Sequence, residues 1–340
     1  MSELRQDPTT HEWVIMAPER GSRPLEAPRR DPEPVPEWDA SCPFCPGNES
    51  RTPPEVCRIG GPDEWAVRVV PNRFPALNPD GAGGVAGGDL FFRRRPGYGV
   101  HEVIIEDPRH NAMMALMAPA AIAKVLQAYQ RRYNALKVDR RLKFITIFKN
   151  HGWGSGTSLA HPHSQLVATP IMATYYRRKS GVAYDYYSDT GRCLYCDLLD
   201  KELAGGERIV AATGQFVVLH PFASRAPYET WIVPRKHYAS FGLFPGAGLA
   251  ELAGVLRESL YCLYTELNDP AFNFAIDTST TDFESDPYYH WHIRIVPRLT
   301  TAAGFEIGSG IYINIALPEE TAKRIRGCRA GGLDSRQAAP

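Results

Sequence analysis

The sequence predicts an α+β protein that is built from two related halves. Each half carries a Cys-x-x-Cys pair, followed in the same order by a Glu-strand-Pro-His segment, a helix, a strand and a His-x-His triplet. The segments HEVIIEDPRH (101–110) and YETWIVPRKH (228–237) show the parallel, because in both a glutamate lies eight residues before a histidine. We therefore expect two domains, one at residues 1–178 and one at 186–328.

Local patterns place the elements within each half. Short β-branched runs predict strands and the 3.6-residue periodicity predicts helices. In the first half they predict strands at 102–106 and 143–148, a helix at 118–137 and a strand at QLVATP. In the second half they predict a strand and turn at 228–237, a helix at 247–268, and strands at AFNFAID and 290–298. The Pro-rich residues 1–40 are expected to form an extended arm or surface loop, and AGGVAGGD (82–89) a flexible loop.

The charge balance gives no reason to expect binding to nucleic acid or to an anionic membrane. The chain has 38 basic and 38 acidic side chains, so its net charge gives no attraction to nucleic acid or to a membrane surface. No stretch has the roughly 18 consecutive apolar residues that a spanning helix needs. The N-terminus lacks a basic segment followed by an apolar run, so we expect a soluble cytoplasmic protein without a signal peptide.

The two Cys-x-x-Cys pairs are candidate metal ligands. In a reducing compartment such pairs bind metal more often than they form disulfides, and two thiolates with two histidines suit tetrahedral zinc. Free thiols and buried histidines are the alternative. The first set would be Cys42, Cys45, His110 and one histidine of the following His-x-His. The second set would be Cys193, Cys196, His237 and His290, in which His292 could replace His290. Because four protein ligands leave no open position, both metals would be structural.

The segment NHGWGSGTSLAHPHSQ (150–165) combines a Gly/Ser loop with polar side chains at alternate positions. On a strand, His161, His163 and Gln165 would share one face. The loop residues 154–158, which include Gly156, Thr157 and Ser158, offer backbone N–H groups and hydroxyls that can bind phosphate oxygens.

This arrangement indicates phosphorus chemistry. A neutral imidazole is a good nucleophile near pH 7 and can carry a covalent intermediate, so His163 is the candidate nucleophile for a nucleotidyl group. The amide of Gln165 can hydrogen-bond a phosphoryl oxygen but cannot act as an acid. The site therefore favours transfer between phosphates over hydrolysis.

The sequence resembles the galactose-1-phosphate uridylyltransferase family of the histidine-triad superfamily over nearly its whole length. The matching segments are RQDPTTHEWVIMAPERGSRP, CPFCPGNE, PNRFPAL, EDPRH, HPHSQ, YETWIVPRKH, HWHIRIVPR and FEIGSG. The resemblance implies two duplicated histidine-triad-like halves, each an antiparallel sheet with helices, usually in a homodimer. It also implies ping-pong transfer of a nucleoside monophosphate from a nucleotide sugar to a sugar 1-phosphate.

The resemblance also implies roles for individual residues. His163 would be the nucleophile and Gln165 would hold the phosphoryl oxygens. His161 would complete the first zinc site, and the second site would hold zinc or iron. The residues implied to contact substrate are Ser158 and Asn150 at the nucleotidyl phosphate, Arg20 and Arg23 near the phosphates, Asn72 at the nucleoside and Glu306 at the hexose.

The leading prediction is uridylyl transfer from UDP-glucose to a hexose 1-phosphate such as galactose 1-phosphate. The lysine and glutamine that bind the hexose phosphate in the family have no clear counterpart near LTTAAGFEIGSGIYIN. This segment and the second Cys-x-x-Cys also resemble ADP-glucose phosphorylases, which pass an adenylyl group to free phosphate. A nucleotide hydrolase and a zinc-binding module without catalysis are further alternatives. The second half has HWHIR in place of HPHSQ and no Gly/Ser loop, so we expect it to be catalytically silent.

Overall fold

The computed structural model describes residues 1–22, 35–61, 64–81 and 87–334. The predicted substrate residue Arg23 lies outside these residues, as does most of the predicted loop at 82–89. The statements below refer to the described part of the chain.

The described residues form thirteen strands and six α-helices. The strands are β1 (Glu3–Gln6), β2 (Trp13–Met16), β3 (Cys57–Gly60), β4 (Trp65–Pro71), β5 (Val100–Ile105), β6 (Phe144–His151), β7 (His163–Thr169), β8 (Ile209–Ala212), β9 (Phe216–Leu219), β10 (Thr230–Pro234), β11 (Phe272–Asp277), β12 (His292–Pro297) and β13 (Tyr312–Asn314). The helices are α1 (Pro119–Leu136), α2 (Thr174–Thr190), α3 (Leu194–Gly205), α4 (Leu249–Leu267), α5 (Gly304–Ser309) and α6 (Pro318–Asp334).

Ten of the strands form one antiparallel sheet in the order β3-β4-β5-β7-β6-β11-β12-β10-β9-β8. The first half contributes β3-β4-β5-β7-β6, and the second half contributes the equivalent order β8-β9-β10-β12-β11 from the other edge. This equivalence confirms the predicted α+β fold with duplicated halves. The halves meet where β6 pairs with β11, from Ile147 opposite Ile276 to His151 opposite Phe272. The two predicted sheets are therefore joined into one.

The first residues of the chain belong to a separate three-stranded sheet. Strand β2 pairs antiparallel with β1 and parallel with β13, which lies near the other end of the sequence. The prediction of an arm or loop is wrong for these segments. The reason is that Val14 and Met16 are buried beside Ala223, and that the backbone of β2 gains a partner almost 300 residues away. No local pattern reveals such a partner.

The two faces of the large sheet are covered differently. Helices α1 and α4 bury their apolar stripes against one face, which forms the main core. In α1 this stripe includes Ile122, Val125, Leu126 and Tyr129, which follow the helical period. On the opposite face, α2 and α3 cover the second half, whereas the first half carries the CPFC turn packed on Val103 and Ile105 of β5. The HPHSQ segment lies on this second face of the first half.

Candidate active site and metal centres

Strand β7 presents His163 and Gln165 on the same face of the sheet. Their neighbours on β5 are Ile105, opposite His163, and Val103, opposite Gln165. The strand begins at His163, so the alternation of side chains along a strand explains why His163 and Gln165 share a face. His161 lies in a bend before the strand, and the bend determines its position.

The hydrogen bonds of His163 define its tautomer. Its Nδ1 lies 2.9 Å from the carbonyl oxygen of His161, and because a carbonyl only accepts, Nδ1 carries the proton. Nε2 therefore keeps its lone pair. Burial lowers the pKa of His163, so the ring is neutral near pH 7. The Phe44 ring packs against the imidazole in a T-shaped arrangement, with 5.6 Å between the ring centroids. The result is a neutral imidazole whose ring orientation is fixed by its hydrogen bond.

A buried polar network lies on the other face of β7, directly behind His163. Lys149 Nζ donates to Glu106 Oε2 at 2.6 Å and to the carbonyl oxygen of His163 at 3.3 Å. Glu106 also accepts from the hydroxyls of Ser164 and Tyr129. The positive charge of Lys149 is the second factor, after burial, that lowers the pKa of His163. Sequence reasoning missed this network, because Glu106 and Lys149 lie in ordinary-looking strand ends.

The amide of Gln165 is held by a residue that sequence reasoning also missed. His101 Nε2 lies 2.8 Å from Gln165 Oε1 and 3.1 Å from the Nδ2 of Asn72, the predicted nucleoside contact. Both amides therefore lie next to the same ring nitrogen of His101, and the structure brings Asn72 and Gln165 together there. The only signal in the sequence was the position of His101 at the start of a predicted strand.

Asn150 lies at the seam between the halves. Its Oδ1 accepts a hydrogen bond of 2.7 Å from Asn273 of β11, which also donates to the carbonyl oxygen of Ser155 at 3.0 Å. With its oxygen engaged, the Asn150 amide NH₂ is available to an anionic ligand. Asn273 was not predicted, since it belongs to the other half of the chain.

The Gly/Ser loop follows Asn150 and contains one short 3-10 turn, Trp153–Ser155. Gly152 has φ 75°, and a Cβ there would lie 3.0 Å from Ala271, so this close approach requires glycine. Gly156 also has a positive φ, 88°. Gly156 and Ser158 are exposed and Thr157 is half-buried, so the loop presents its backbone and hydroxyls to solvent beside β7.

The predicted residues Arg20 and Glu306 are placed by the small sheet. Arg20 follows β2, and Glu306 lies in α5, just before β13. Hydrogen bonds from the backbone of Ala303 and of Glu306 itself lower the pKa of the Glu306 carboxyl, and the charge of Arg20 lowers it to a smaller extent. Glu306 also lines a cavity of about 280 Å³ whose wall includes Asn273, the partner of Asn150. The cavity connects the predicted hexose contact with the seam.

The first predicted metal set is brought together by the fold. The ligand atoms of Cys42, Cys45, His110 and His161 all lie within 4.8 Å of one another, and the residues are buried. His161 directs Nδ1 towards both sulfurs, while its Nε2 bonds the carbonyl oxygen of Asp107 at 2.8 Å. Backbone N–H groups point at both sulfurs, from Phe44 to Cys42 and from Asp39 to Cys45.

This chemistry fits a divalent metal. Burial raises the pKa of Cys42 to about 11 and lowers that of His161 to about 4. In the absence of a cation the pocket therefore favours a neutral thiol and a neutral imidazole. A metal ion would supply the positive charge that a thiolate needs, and the outer hydrogen bond of His161 fixes the ring as a ligand.

The second set forms the equivalent cluster. Cys193, Cys196, His237 and His290 have their ligand atoms within 4.8 Å of one another. Both histidines turn Nδ1 towards Cys196 at 3.5 Å, and His237 bonds the carbonyl oxygen of Asp286 through Nε2. The alternative ligand His292 is not in the cluster. The fold therefore contains two Cys₂His₂ groups that could each hold a metal ion.

His292 is the second-half counterpart of His163, but its Nε2 is engaged by neighbouring side chains. Its Nδ1 faces the carbonyl oxygen of His290 at 3.1 Å, as His163 faces His161. Its Nε2, however, lies 3.0 Å from Lys179 Nζ and 3.3 Å from Asp277. Trp231 stacks on the His292 ring with 4.6 Å between the ring centroids, and the His292 side chain is completely buried. The geometry thus gives a physical reason to expect that this half is silent.

A duplicated ten-stranded sheet, with two Cys₂His₂ groups and a His-x-His-x-Gln segment at the start of β7, defines a protein of the histidine-triad class. Residues 1–173 match the family described as galactose-1-phosphate uridyl transferase, N-terminal domain. ADP-glucose phosphorylase of Arabidopsis thaliana is 35% identical over 328 residues, which cover 95% of this chain and 92% of that protein. The chain therefore belongs to the galactose-1-phosphate uridyl transferase family.

Other comparisons cover the full length in the same way. Galactose-1-phosphate uridylyltransferase of Thermotoga maritima is 29% identical over 338 residues, covering 96% of this chain and 98% of that protein. A solved structure of an Arabidopsis thaliana ADP-glucose phosphorylase with bound ADP-glucose has a TM-score of 0.82 at 34% identity, covering 96% and 99% of the two chains. In the described part of this chain, none of the helices combines the length and apolarity needed to span a membrane.

Proposed function

We propose that this protein is a nucleotidyltransferase that moves a nucleoside monophosphate from a nucleotide sugar to a phosphate-bearing acceptor through His163. The observation that carries the proposal is the tautomer of His163. Its proton is held on Nδ1 by the His161 carbonyl, so Nε2 keeps its lone pair, and no group among the described residues forms a hydrogen bond with this nitrogen. The blocked Nε2 of His292 supports the same assignment by contrast.

The reaction has two balanced steps. In the first, His163 Nε2 attacks the α-phosphorus of the nucleotide sugar, an N–P bond forms, and the P–O bond to the sugar 1-phosphate breaks. In the second, a phosphate oxygen of the acceptor attacks the same phosphorus and the N–P bond breaks. Both leaving groups are stable without an added proton, which agrees with an amide, not an acid, at Gln165. We expect Gln165, Asn150 and Ser158 to donate hydrogen bonds to the phosphoryl oxygens.

We propose structural zinc in both Cys₂His₂ groups, with iron as an alternative in the second. When bound, the metal supplies a fixed crosslink between a Cys-x-x-Cys turn and the sheet, and four protein ligands leave it no open position. In the first site, His161 would act as a ligand two residues before the nucleophile. Hydrogen bonds of the protein already position His161 and His163 at the start of β7. A bound metal would make this position more rigid.

Adenylyl transfer from ADP-glucose to free phosphate is the first candidate reaction. It is supported by the 35% identity to an ADP-glucose phosphorylase, against 29% to the Thermotoga maritima uridylyltransferase. Uridylyl transfer from UDP-glucose to a hexose 1-phosphate is the second candidate, supported by the family as a whole. The homodimer stays a prediction from the resemblance.

The test is the intact mass of the protein after separate incubation with ADP-glucose and UDP-glucose, without acceptor. An adenylyl adduct supports phosphorolysis and a uridylyl adduct supports the second candidate. Free phosphate or galactose 1-phosphate should then discharge the matching adduct, whereas discharge by water alone at the same rate would indicate a hydrolase. His163→Ala should form no adduct. Full turnover by this variant would overturn the mechanism.

A further inference from the structure

His101 connects the two parts of the site that face the nucleotide. Its carbonyl oxygen accepts the backbone N–H of Asn72 at 2.8 Å, and its Nδ1 accepts the backbone N–H of Ala76 at 3.2 Å. Its Nε2 reaches Gln165 Oε1 at 2.8 Å. On β5 it stands opposite Val167, so it meets Gln165 along the diagonal between neighbouring strands, on the same face.

These contacts fix which atom of each group carries the hydrogen. The Ala76 N–H can only donate, so Nδ1 of His101 is the unprotonated nitrogen and the neutral ring carries its proton on Nε2. That proton is donated to Gln165 Oε1. The amide oxygen of Gln165 is then engaged, and its NH₂ group is left to face a ligand.

The side chain of Asn72 is oriented by the chain segment that follows it. Its Oδ1 accepts the backbone N–H of Phe74 at 2.8 Å, which directs its NH₂ towards His101 Nε2 at 3.1 Å. Both groups are donors there, so this contact is not a hydrogen bond. The Asn72 NH₂ is therefore not satisfied by His101, and it is available to an acceptor on the nucleotide.

We propose that His101 is a positioning residue that sets the amide of Gln165 with its NH₂ towards the transferred phosphoryl group; the inference rests on the proposed function. An unrestrained amide can rotate by 180° and present its oxygen lone pairs to the anionic phosphoryl oxygens, which is repulsive. His101 prevents this rotation by binding the oxygen.

The experiment compares single-turnover rates of adduct formation, with whichever nucleotide sugar labels the wild-type protein. His101→Leu removes the donor and should slow labelling by about 10- to 100-fold, somewhat less than the loss of a direct donor to the reacting group. His101→Gln keeps an N–H donor at this position and should recover to within about threefold of the wild type. His151→Leu is the matched control, because it makes the same change on the opposite face of the sheet, where His151 pairs with Asp269; we expect a change below about twofold.

A double-mutant cycle separates positioning from a merely structural role. If His101 acts through Gln165, then His101→Leu should cost less than about twofold when Gln165 is already alanine. Additive effects, or an unchanged rate in His101→Leu, would overturn the inference while leaving the proposed function intact. No adduct in the wild-type protein with either nucleotide sugar would overturn both.

Discussion

Replacing Lys149 by methionine should destabilise the protein by about 3–5 kcal/mol, because it leaves the Glu106 carboxylate buried without its counter-ion. The two groups meet at 2.6 Å, and their side chains are 2% and 0% exposed. Methionine keeps the length and the apolar stem of the lysine, so the variant removes the charge without opening a large cavity.

The expected loss of stability can be estimated from the ion pair that Glu106 loses in the variant. At 2.6 Å and an effective dielectric constant of about 20, the lost attraction is about 6 kcal/mol. The protein can avoid the full loss if the carboxylate takes up a proton, which at pH 7 costs a glutamate of ordinary acidity about 3.7 kcal/mol. At pH 5 the same protonation costs only about 1 kcal/mol. The variant should therefore lose less stability, relative to the wild type, as the pH falls from 7 to 5.

The assay is equilibrium urea unfolding of the metal-loaded protein at pH 7 and pH 5. Lys149→Met/Glu106→Gln removes both charges and should be more stable than Lys149→Met alone at pH 7. Lys143→Met is the control, since Lys143 and its partner Asp282 are 39% and 44% exposed and should contribute less than about 1 kcal/mol. A loss in Lys149→Met as small as in this control, or a double variant no more stable than the single one, would refute the reasoning.

Three further predictions concern the metal, the second half and the pH. Cys42→Ser should remove about one metal ion per chain and lower the midpoint of thermal unfolding, whereas Cys57→Ser should keep the metal; an unchanged metal content in Cys42→Ser would count against the first site. Peptide mapping of the labelled protein should find the nucleotide on the peptide that contains His163; label on the peptide that contains His292 would contradict a silent second half. Burial lowers the pKa of His220 to about 3, so the unfolded chain, with a histidine pKa of 6.5, binds a proton that the folded protein excludes between these values. Stability should therefore fall below about pH 6.5, by about 2 kcal/mol more at pH 5 in the wild type than in His220→Gln; parallel pH curves for the two proteins would show that this histidine is not the cause.

The helices and strands could be predicted from the sequence, and the candidate motif could be found in it, because both depend on local patterns. The helix expected at 118–137 is Pro119–Leu136, and the one expected at 247–268 is Leu249–Leu267. Apolar periodicity determines such elements within a few residues of their ends. The Cys-x-x-Cys pairs and the HPHSQ string are equally local, since each places its chemistry within one turn or one strand.

Features that depend on contacts between distant segments could not be predicted from the sequence. The choice of His290 over His292, the joining of two sheets at β6 and β11, and the addition of the first residues to β13 all depend on where backbones meet in space. The groups that orient the reactive side chains have the same origin. Asn273 reaches Asn150 across 123 residues of sequence, and His101 reaches Gln165 across 64. Local motifs in the sequence therefore predict which side chains take part in the proposed chemistry. Which of them are oriented depends on the fold, because hydrogen-bond partners and burial arise only when the strands pair.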